Sequence, residues 1–487
     1  MASDHSSITV TKMFLDGLLR QKPNDDQSLS IAESFEVNDD STKYIFHLRD
    51  VKWSDGTPVT AMDFEETWKK VLDPSFPAPF AFMMYVLKNG EKAKQGQVPM
   101  SEIGVTAVDA HTLVVELEYP ANYFTQLLAT QTFLPYPDRI AKHNERAIGR
   151  KGYEMIGNGP FLMSEWKNRD VMTFEKNQNY WDANVVGIDG VEMNFVNDQS
   201  AVLEMFEQGD IHWVGDPLST IPEDCIEELE SKSRLINNDV AGLYYYVFNT
   251  KRFPFNNEKM RKAFSLAMNR KEIIEHVTQK KHQPALRLLP NVMFGEKREL
   301  FKDNDLEEAK RLFSEGLKEL GIRHNEFPVI PIHFNNTFTL HYKIAQAVQQ
   351  QWRDVFNIKV ELANREWKVY LDEIAKEEFH VARMGGIAIY NDPYYFLEQY
   401  MWEDNGMNHA RWSSPEFKKY IKKAVMASSK GERKKNLLAA EDVFIEHMPI
   451  APIFFYNMSY MKNNDVKEIF FSEIGQVDYK WARFVEQ

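Results

Sequence analysis

The chain has 487 residues, which is long enough for two or three domains with large hydrophobic cores. Aromatic residues make up 13% of it and can contribute to those cores. Its net charge of −14 argues against a nucleic-acid-binding protein, because neutralising phosphates requires clustered lysine and arginine. The single cysteine, Cys225, excludes an internal disulfide and a cysteine-rich metal site, and no apolar run approaches the roughly 20 residues of a membrane-spanning helix.

The first part of the chain is predicted to be a mixed α/β region. Residues 1–5 lack the basic and apolar segments of a secretory signal, so the chain is either cytoplasmic or the mature form of an exported protein. Residues 8–10 are rich in β-branched side chains and predict a short strand, followed by a short helix over 13–19. Alternating apolar residues predict a half-buried strand over 43–49.

The sequence KWSDGTPVTAMDF, residues 52–64, predicts a strand end, a tight turn and a helix start. Gly56 tolerates a positive φ, and Pro58 fixes the exit from the turn. Thr60 is placed to cap the helix, with Asp63 at its third position. Trp53 is predicted to fill a hydrophobic core.

Later segments alternate between strand and helix patterns. Two strands are predicted within 105–117, a helix ends near Gly209, and 243–249 is a β-prone strand. The clearest unit covers 328–362, where a buried strand, an amphipathic helix and a second strand follow each other. This order predicts a parallel strand pair with a right-handed crossover.

The sequence offers no support for catalysis or for a resident cofactor. It contains no metalloprotease helix motif, no nucleophile elbow and no glycine-rich phosphate loop. The histidines are scattered, and His276 and His282 are predicted to be surface residues. We therefore expect no catalytic residues, no metal site and no cofactor.

Residues 13 to about 460 resemble the peptide/nickel branch, family 5, of the extracellular solute-binding proteins of ABC importers. Within that branch, the similarity is greatest to periplasmic oligopeptide-binding proteins. Ten segments occur in the same order over more than 300 residues, which makes the resemblance specific. They are residues 46–49, 53–61, 72–74, 158–159, 244–246, 254–256, 307–310, 366–368, 381–383 and 390–393.

The resemblance implies a bilobal α/β fold of the periplasmic-binding-protein type, class II, cluster C. Mixed sheets flanked by helices would form two lobes joined by a hinge. The first lobe would comprise residues 1–27, 155–241 and 458–487. A small domain inserted into it would comprise 28–154, and the second lobe 242–457.

The resemblance also implies the residues that contact a ligand. Arg383 matches an arginine that pairs with a ligand carboxylate, and His341 matches a histidine with a similar role for longer peptides. Trp367 and Tyr245 match aromatic residues of the pocket wall. The stretch Gly385, Gly386 and Ile387 matches the strand that pairs with the peptide backbone, and Ile389 and Tyr390 follow it.

Several positions depart from the family pattern. The aspartate that binds the peptide ammonium group falls at Ile389, which can neither accept a hydrogen bond nor pair with a charge. A pocket tryptophan falls at Gly386, which would enlarge the site. Three explanations stay open for the ammonium group. Another carboxylate such as Asp392 or Glu366 could replace the aspartate, the ligand could lack a free amino terminus, or the amine could stay hydrated.

The expected function is capture of oligopeptides, including atypical or cell-wall-derived peptides, for delivery to the transmembrane subunits of an ABC permease. The protein would act as a monomer in the periplasm or another extracytoplasmic location, either free or held by a lipid anchor. One alternative is the same fold binding a nickel chelate, haem or glutathione. An alternative of another class is a hydrolase or a chaperone-like protein.

Overall fold

The computed structural model describes residues 5–23, 27–147, 155–295, 297–427 and 429–485. The α-helices are α1 His5–Phe14, α2 Ala61–Leu72, α3 Gly90–Lys94, α4 Phe124–Leu128, α5 Asp138–Ala147, α6 Gln199–Gln208, α7 Ile226–Ser231, α8 Glu258–Leu266, α9 Arg270–Glu272, α10 Leu306–Leu320, α11 Thr339–Phe356, α12 Trp367–Ala375, α13 Tyr394–Glu398, α14 Pro415–Val425 and α15 Lys430–His447. Short 3₁₀ segments occupy Ala81–Met84, Met100–Glu102, Gln131–Phe133, Ala183–Val185, Glu223–Cys225, Asn291–Met293 and His324–Glu326, and a π-helical turn spans Ile273–Thr278.

The strands are β1 Leu19–Gln21, β2 Gln27–Leu29, β3 Ala32–Val37, β4 Lys43–Leu48, β5 Val105–Ala107, β6 Thr112–Glu116, β7 Phe161–Lys167, β8 Val171–Lys176, β9 Gly190–Asn194, β10 Trp213–Gly215, β11 Ile236–Phe248, β12 Gln283–Pro284, β13 Ile330–Asn335, β14 Val360–Arg365, β15 Val381–Ile387, β16 Ile450–Lys462, β17 Val466–Lys467, β18 Phe470–Phe471, β19 Val477–Asp478 and β20 Arg483–Phe484. None of the helices in the described ranges combines the length and the hydropathy that crossing a bilayer would require.

The chain divides into two compact units. One comprises residues 1–236 and 459–487, and the other comprises residues 237–458. The chain passes from the first unit to the second within β11 and returns within β16. The division predicted from the sequence, with a separate inserted domain over 28–154, stays a prediction. Its outer ends and its boundary after residue 154 lie outside the described residues.

The N-terminal segment is helical, so the strand predicted over 8–10 is wrong. Helix α1 includes this segment, and its buried residues are Ile8, Thr9, Lys12, Met13 and Phe14. Burial at positions i, i+1, i+4 and i+5 follows the helical period. Packing of this face into a core therefore overrides the β-propensity of the branched side chains.

The turn motif over 52–64 folds as predicted and is organised around Asp63. Gly56 has a φ of +85°, and Trp53 is buried. The Asp63 carboxylate accepts hydrogen bonds from the backbone N–H of Thr60 at 3.0 Å and from the Trp53 indole at 3.1 Å. Arg139 completes the cluster with an ion pair at 2.9 Å. The motif thus fixes the start of α2 and the position of a core tryptophan together.

The first unit contains several small antiparallel sheets. One sheet has the strand order β3-β4-β6-β5, and another has the order β7-β8-β9. Helix α6 ends just before Gly209, as predicted, and Gly209 has a left-handed φ of +84°. Strand β10 pairs antiparallel with the last residues of β16.

The second unit is built on a mixed sheet with the strand order β16-β11-β15-β13-β14. The strands β13 and β14 are parallel and are joined by α11, which confirms the predicted strand–helix–strand unit; the right-handed crossover stays a prediction. Asn357 follows the last residue of α11 with a φ of 51°, the left-handed conformation that is common at helix C-termini. Buried residues of α8, α10 and α11 pack against the sheet and form its core.

Candidate functional site

One edge of strand β15 is only partly paired. Strand β11 pairs antiparallel with the whole of β15, from Val381 to Ile387. On the other side, β13 pairs with Val381 and Ala382 alone. Within the described ranges, residues 383–387 therefore have no neighbouring strand on their second edge.

The register of β11 and β15 determines which backbone groups face this open edge. The N–H of Ala388 donates to the carbonyl of Ala241 at 2.7 Å, which makes these two residues a hydrogen-bonded pair. Backbone groups alternate between the two edges along an antiparallel strand. The N–H and C=O groups of Gly385 and Ile387 therefore point away from β11. They can pair with an extended chain that adds as a further strand.

The guanidinium group of Arg383 lies at the start of this open stretch. Its Nη2 donates to the phenol oxygen of Tyr456 at 3.1 Å, and its Cζ lies 4.6 Å from the centre of the Tyr244 ring. Its Nε is buried and has no hydrogen-bond partner among the residues that the structure describes. Among the residues that the structure describes, no aspartate or glutamate pairs with it. An enclosed cation without a counter-ion is costly, so this arrangement favours an anionic ligand.

Three phenol groups surround the guanidinium and remain neutral. Burial raises the pKa of Tyr244, Tyr370 and Tyr456 above the ordinary tyrosine value. The phenol of Tyr370 also donates to the backbone carbonyl of Arg383. Burial alone would lower the pKa of Arg383, but the phenol oxygens outweigh it, and the net effect is a raised pKa. The site therefore carries a permanent positive charge that the tyrosines do not cancel.

His341 lies in the first turn of α11, next to the same cluster. Its Nδ1 is 3.4 Å from the phenol oxygen of Tyr244, and the side chain is buried. Burial, with a smaller effect from the charge of Arg383, lowers the pKa of His341 to about 3. The imidazole is therefore neutral at physiological pH. The contact between His341 and a ligand stays a prediction. In such a contact the histidine would act as a neutral hydrogen-bonding group, not as a cation.

We expect His341 to make folding less favourable in acid. An unfolded histidine has a pKa of about 6.5, whereas the folded side chain has a pKa of about 3. The unfolded state therefore binds protons preferentially, and stabilisation present above about pH 6.5 is lost progressively as the pH falls towards 3. Urea titrations of the protein and of His341→Gln between pH 7 and 4 test this.

The His341→Gln protein should show the smaller dependence of unfolding free energy on pH. Replacing the exposed His276 by glutamine is the matched control and should leave that dependence unchanged. Equal pH dependences for the original protein and His341→Gln would contradict a neutral, buried imidazole.

The two glycines of β15 differ in the space around them. A Cβ at Gly385 would lie 2.8 Å from the Tyr456 phenol oxygen and 3.0 Å from the carbonyl of Leu243. A Cβ at Gly386 would meet no atom within 4 Å. Gly385 thus leaves room for the arginine–tyrosine contact, whereas Gly386 leaves space open on the opposite face of the strand.

Alanine substitutions should separate these two glycines. Gly385→Ala should destabilise the protein by about 1–3 kcal/mol, because the added methyl group displaces the phenol of Tyr456 or shifts the backbone. Gly386→Ala should change the unfolding free energy by less than about 0.5 kcal/mol. Chemical denaturation of both variants measures the difference, and equal effects would show that the Gly385 contact is not restrictive.

The two predicted wall aromatics occupy different places. Trp367 begins α12, is 44% exposed, and stacks on Tyr370 with ring centres 6.1 Å apart, which connects it to the Arg383 cluster. Tyr245 is partly buried and points to the other face of the sheet, because it alternates with Tyr244 and Tyr246. Burial raises the pKa of Tyr245 to about 12. The structure therefore brings Trp367, but not Tyr245, to the face that carries Arg383.

Ile389 and Tyr390 follow the end of β15. Ile389 lies in a bend and is partly buried. Because it is an isoleucine, it brings no polar side-chain group to this position. Tyr390 is buried, and its phenol donates to Oε1 of Glu398 at 2.9 Å. The two residues thus lie at the opposite end of the open edge from Arg383.

Both carboxylates considered as replacements for the missing aspartate have other partners. Asp392 is buried and accepts hydrogen bonds from both terminal nitrogens of Arg433 at 2.8 Å, and from the N–H of Tyr394. Glu366 caps α12 by accepting from the N–H of Lys368 at 2.8 Å. Their positions are explained by folding alone.

Sequence reasoning missed the phenols around Arg383 and the carboxyl group of Glu398. The alternation of Tyr244, Tyr245 and Tyr246 indicates that Tyr244 and Tyr246 share a face, but nothing local connects them to Tyr456 or Tyr370.

The prediction that His282 is a surface residue is wrong. It is buried and stacks on Phe454 with ring centres 4.3 Å apart, and its Nδ1 accepts from the N–H of Asn457. No group of three or more potential metal ligands occurs in the described ranges.

Comparisons with known proteins show the family and the fold of this chain. The sequence profile of bacterial extracellular solute-binding proteins, family 5 Middle, matches residues 28–408. The oligopeptide-binding protein OppA of Bacillus subtilis is 36% identical over 99% of this chain and 90% of its own length.

Two solved structures share the fold over nearly the whole chain. The murein tripeptide binding protein MppA of Escherichia coli superposes with a TM-score of 0.81 at 27% identity, covering 100% of this chain and 95% of that one. Haemophilus influenzae OppA in complex with RPPGFSPFR gives 0.77 at 26% identity, covering 99% and 94%. The predicted fold class is confirmed by these similarities.

Proposed function

Because this chain belongs to the bacterial extracellular solute-binding proteins of family 5, we propose that it captures oligopeptides outside the cytoplasmic membrane and delivers them to an ABC permease. The peptide backbone pairs with the open edge of β15. The guanidinium of Arg383 binds the ligand carboxylate. The protein acts as a monomer, and the peptide is released unchanged because no catalytic step takes place.

The observation that carries this proposal is the uncompensated cation beside an unpaired strand edge. Arg383 presents a buried Nε without a partner, and Gly385 and Ile387 present backbone groups to the same edge. Backbone pairing is common to all peptides, whatever their sequence, and a guanidinium binds a carboxylate with two parallel hydrogen bonds. Together, the open strand edge and the guanidinium can bind the backbone and the terminal carboxylate, which are present in peptides of any sequence.

The space at Gly386 favours a ligand with bulky or branched residues. Among the residues that the structure describes, a Cβ at this position would meet no atom within 4 Å, which leaves space beside the strand for a ligand group. Atypical peptides, including those derived from cell walls, fit this description. The E. coli relative named as a murein tripeptide binding protein makes this class worth testing first.

Native mass spectrometry of the purified protein tests the proposal. We expect a mass increment that disappears on denaturation, together with released peptides that fragmentation identifies. Calorimetry with those peptides should then give saturable binding with one site per chain. A nickel chelate, haem or glutathione as the released molecule would contradict peptide capture.

Incubation with the bound peptide distinguishes a receptor from a hydrolase. We expect chromatography to return the peptide intact after prolonged incubation at a stoichiometric protein concentration. Cleavage products that increase with protein concentration would overturn the assignment as a binding protein.

A further inference from the structure

Glu398 is a carboxyl group whose position is not explained by an ion pair. It is the last residue of α13 and is partly buried. Its one hydrogen bond comes from the phenol of Tyr390 at 2.9 Å. Within the described ranges, no lysine, arginine or histidine pairs with it.

The surroundings of Glu398 favour the arrival of a cation. Burial, with a smaller contribution from the charge of Asp392, raises the pKa of Glu398 to about 8, although the Tyr390 hydrogen bond acts in the opposite direction. Asp392 is itself neutralised by Arg433. Without a ligand the carboxyl group is therefore mostly protonated at neutral pH, and a cation beside it would stabilise its ionised form.

Aromatic rings complete the surroundings of this carboxyl group. The rings of Tyr390 and Tyr395 meet edge to face, with centres 5.4 Å apart. Burial, with smaller contributions from Glu398 and Tyr245, raises the pKa of Tyr395, so Tyr395 lies close to both residues. A carboxylate among tyrosine rings is a suitable environment for an ammonium group, because the ring faces also attract cations.

The position of Glu398 along the strand fits the proposed ligand. Arg383 lies at one end of the open edge, and the segment of Ile389 and Tyr390 lies at the other. At about 3.3 Å per residue, the stretch between Arg383 and Ile389 extends for at most roughly 20 Å, the length of a short peptide. A peptide held by its carboxylate at Arg383 would place its amino terminus at the segment of Ile389 and Tyr390, and the phenol of Tyr390 contacts Glu398.

We propose that Glu398, with the rings of Tyr390 and Tyr395, receives the α-ammonium group of the bound peptide. This inference rests on the proposed function. Ile389 has no polar side-chain group that could bind the ammonium group. Asp392 and Glu366 already have other hydrogen-bond partners, so the inference assigns ammonium binding to Glu398. The protein is thereby selective for peptides with a free amino terminus.

Binding of two matched peptide libraries tests this assignment. One library contains tri- to pentapeptides with free amino termini, and the other contains the same sequences N-acetylated. Native mass spectrometry ranks the bound members, and calorimetry measures the best peptide in both forms. The original protein should bind the free form at least tenfold more tightly than the acetylated form.

The Glu398→Gln protein should lose this preference. Its affinity for the free form should fall at least tenfold, whereas its affinity for the acetylated form should change less than twofold, which also shows that it is folded. Glu398→Asp keeps a carboxyl group at shorter reach and should retain part of the preference. Glu416→Gln, which alters an exposed carboxyl group on α14, should behave like the original protein.

Proton release provides an independent readout. At pH 6.5 the peptide amine is already protonated, since its pKa is about 8. Ionisation of Glu398 on binding should release up to about one proton, measured by calorimetry in buffers of different ionisation enthalpy. Glu398→Gln should release none.

The outcomes separate the two proposals. If the original protein binds neither library, peptide capture itself is wrong. If it binds peptides but Glu398→Gln keeps the preference for free amines, or if the original protein shows no such preference, the assignment of Glu398 is overturned and peptide capture stands.

Discussion

Replacing Arg383 with methionine should weaken peptide binding at least tenfold, a loss of about 1.4 kcal/mol. The guanidinium lies beside the open edge of β15, and its Nε has no hydrogen-bond partner among the described residues, which leaves it available to a ligand carboxylate in the proposed function. Methionine keeps an unbranched apolar chain in place of the arginine stem but removes the charge and all five donors. Calorimetry with the best peptide from the libraries measures the change.

The same substitution should not lower the stability of the ligand-free protein. An enclosed cation without a counter-ion costs free energy, so its removal offsets the loss of the contacts with Tyr456 and Tyr244. Urea denaturation without peptide should give an unfolding free energy equal to or above the original value. Arg383→Lys is the matched control, because it keeps the charge but cannot bind a carboxylate through a planar fork.

Two results would contradict this account of Arg383. Unchanged affinity in Arg383→Met would show that the ligand carboxylate is bound elsewhere. A large loss of stability without ligand would show that the guanidinium serves folding rather than binding.

Replacing Glu441 with alanine should destabilise the protein by about 3–5 kcal/mol. Glu441 and Arg287 are both completely buried and form a two-point ion pair at 3.0 and 2.6 Å. The same carboxylate accepts from the N–H groups of Leu288 and Leu289 at 3.1 and 2.8 Å. Truncation would leave a buried cation and two backbone donors without acceptors.

The adjacent Asp442 provides a matched control. It pairs with Arg298 at 2.7 Å but is 47% exposed, so Asp442→Ala should cost less than about 1 kcal/mol. Glu441→Gln keeps the acceptor oxygen and should give an intermediate loss. Denaturant titration of the three variants gives this order. Equal losses at 441 and 442 would contradict the dependence on burial.

Local patterns predicted much of the fold because their causes are local. The φ of Gly56, the left-handed caps at Gly209 and Asn357, and the parallel crossover around α11 follow from backbone sterics and from the period of the apolar residues. The prediction of a strand over 8–10 was wrong for a related reason. Its branched residues favour a strand, but packing in a core favours the helix, and a local pattern contains no information about the packing partner.

The site could be predicted only in part. The family resemblance pointed to Arg383 and to the strand of Gly385 and Gly386, and their roles stay predictions. Nothing local indicated that Gly385 makes room for Tyr456, which is distant in the sequence. The sequence also offered Asp392 as one possible replacement for the missing aspartate, whereas the structure pairs it with Arg433.

By itself, the sequence determined the family of this protein, the types of most elements and the loss of a polar group at Ile389, because these are properties of neighbouring residues and of ordered motifs. Only the tertiary structure decided which charges are compensated. Arg383 lacks a carboxylate and Asp392 has an arginine because residues far apart in the chain come together, or do not, when the sheet of the second unit forms. Whether a charged side chain serves the fold or remains available for a ligand depends on that long-range pairing.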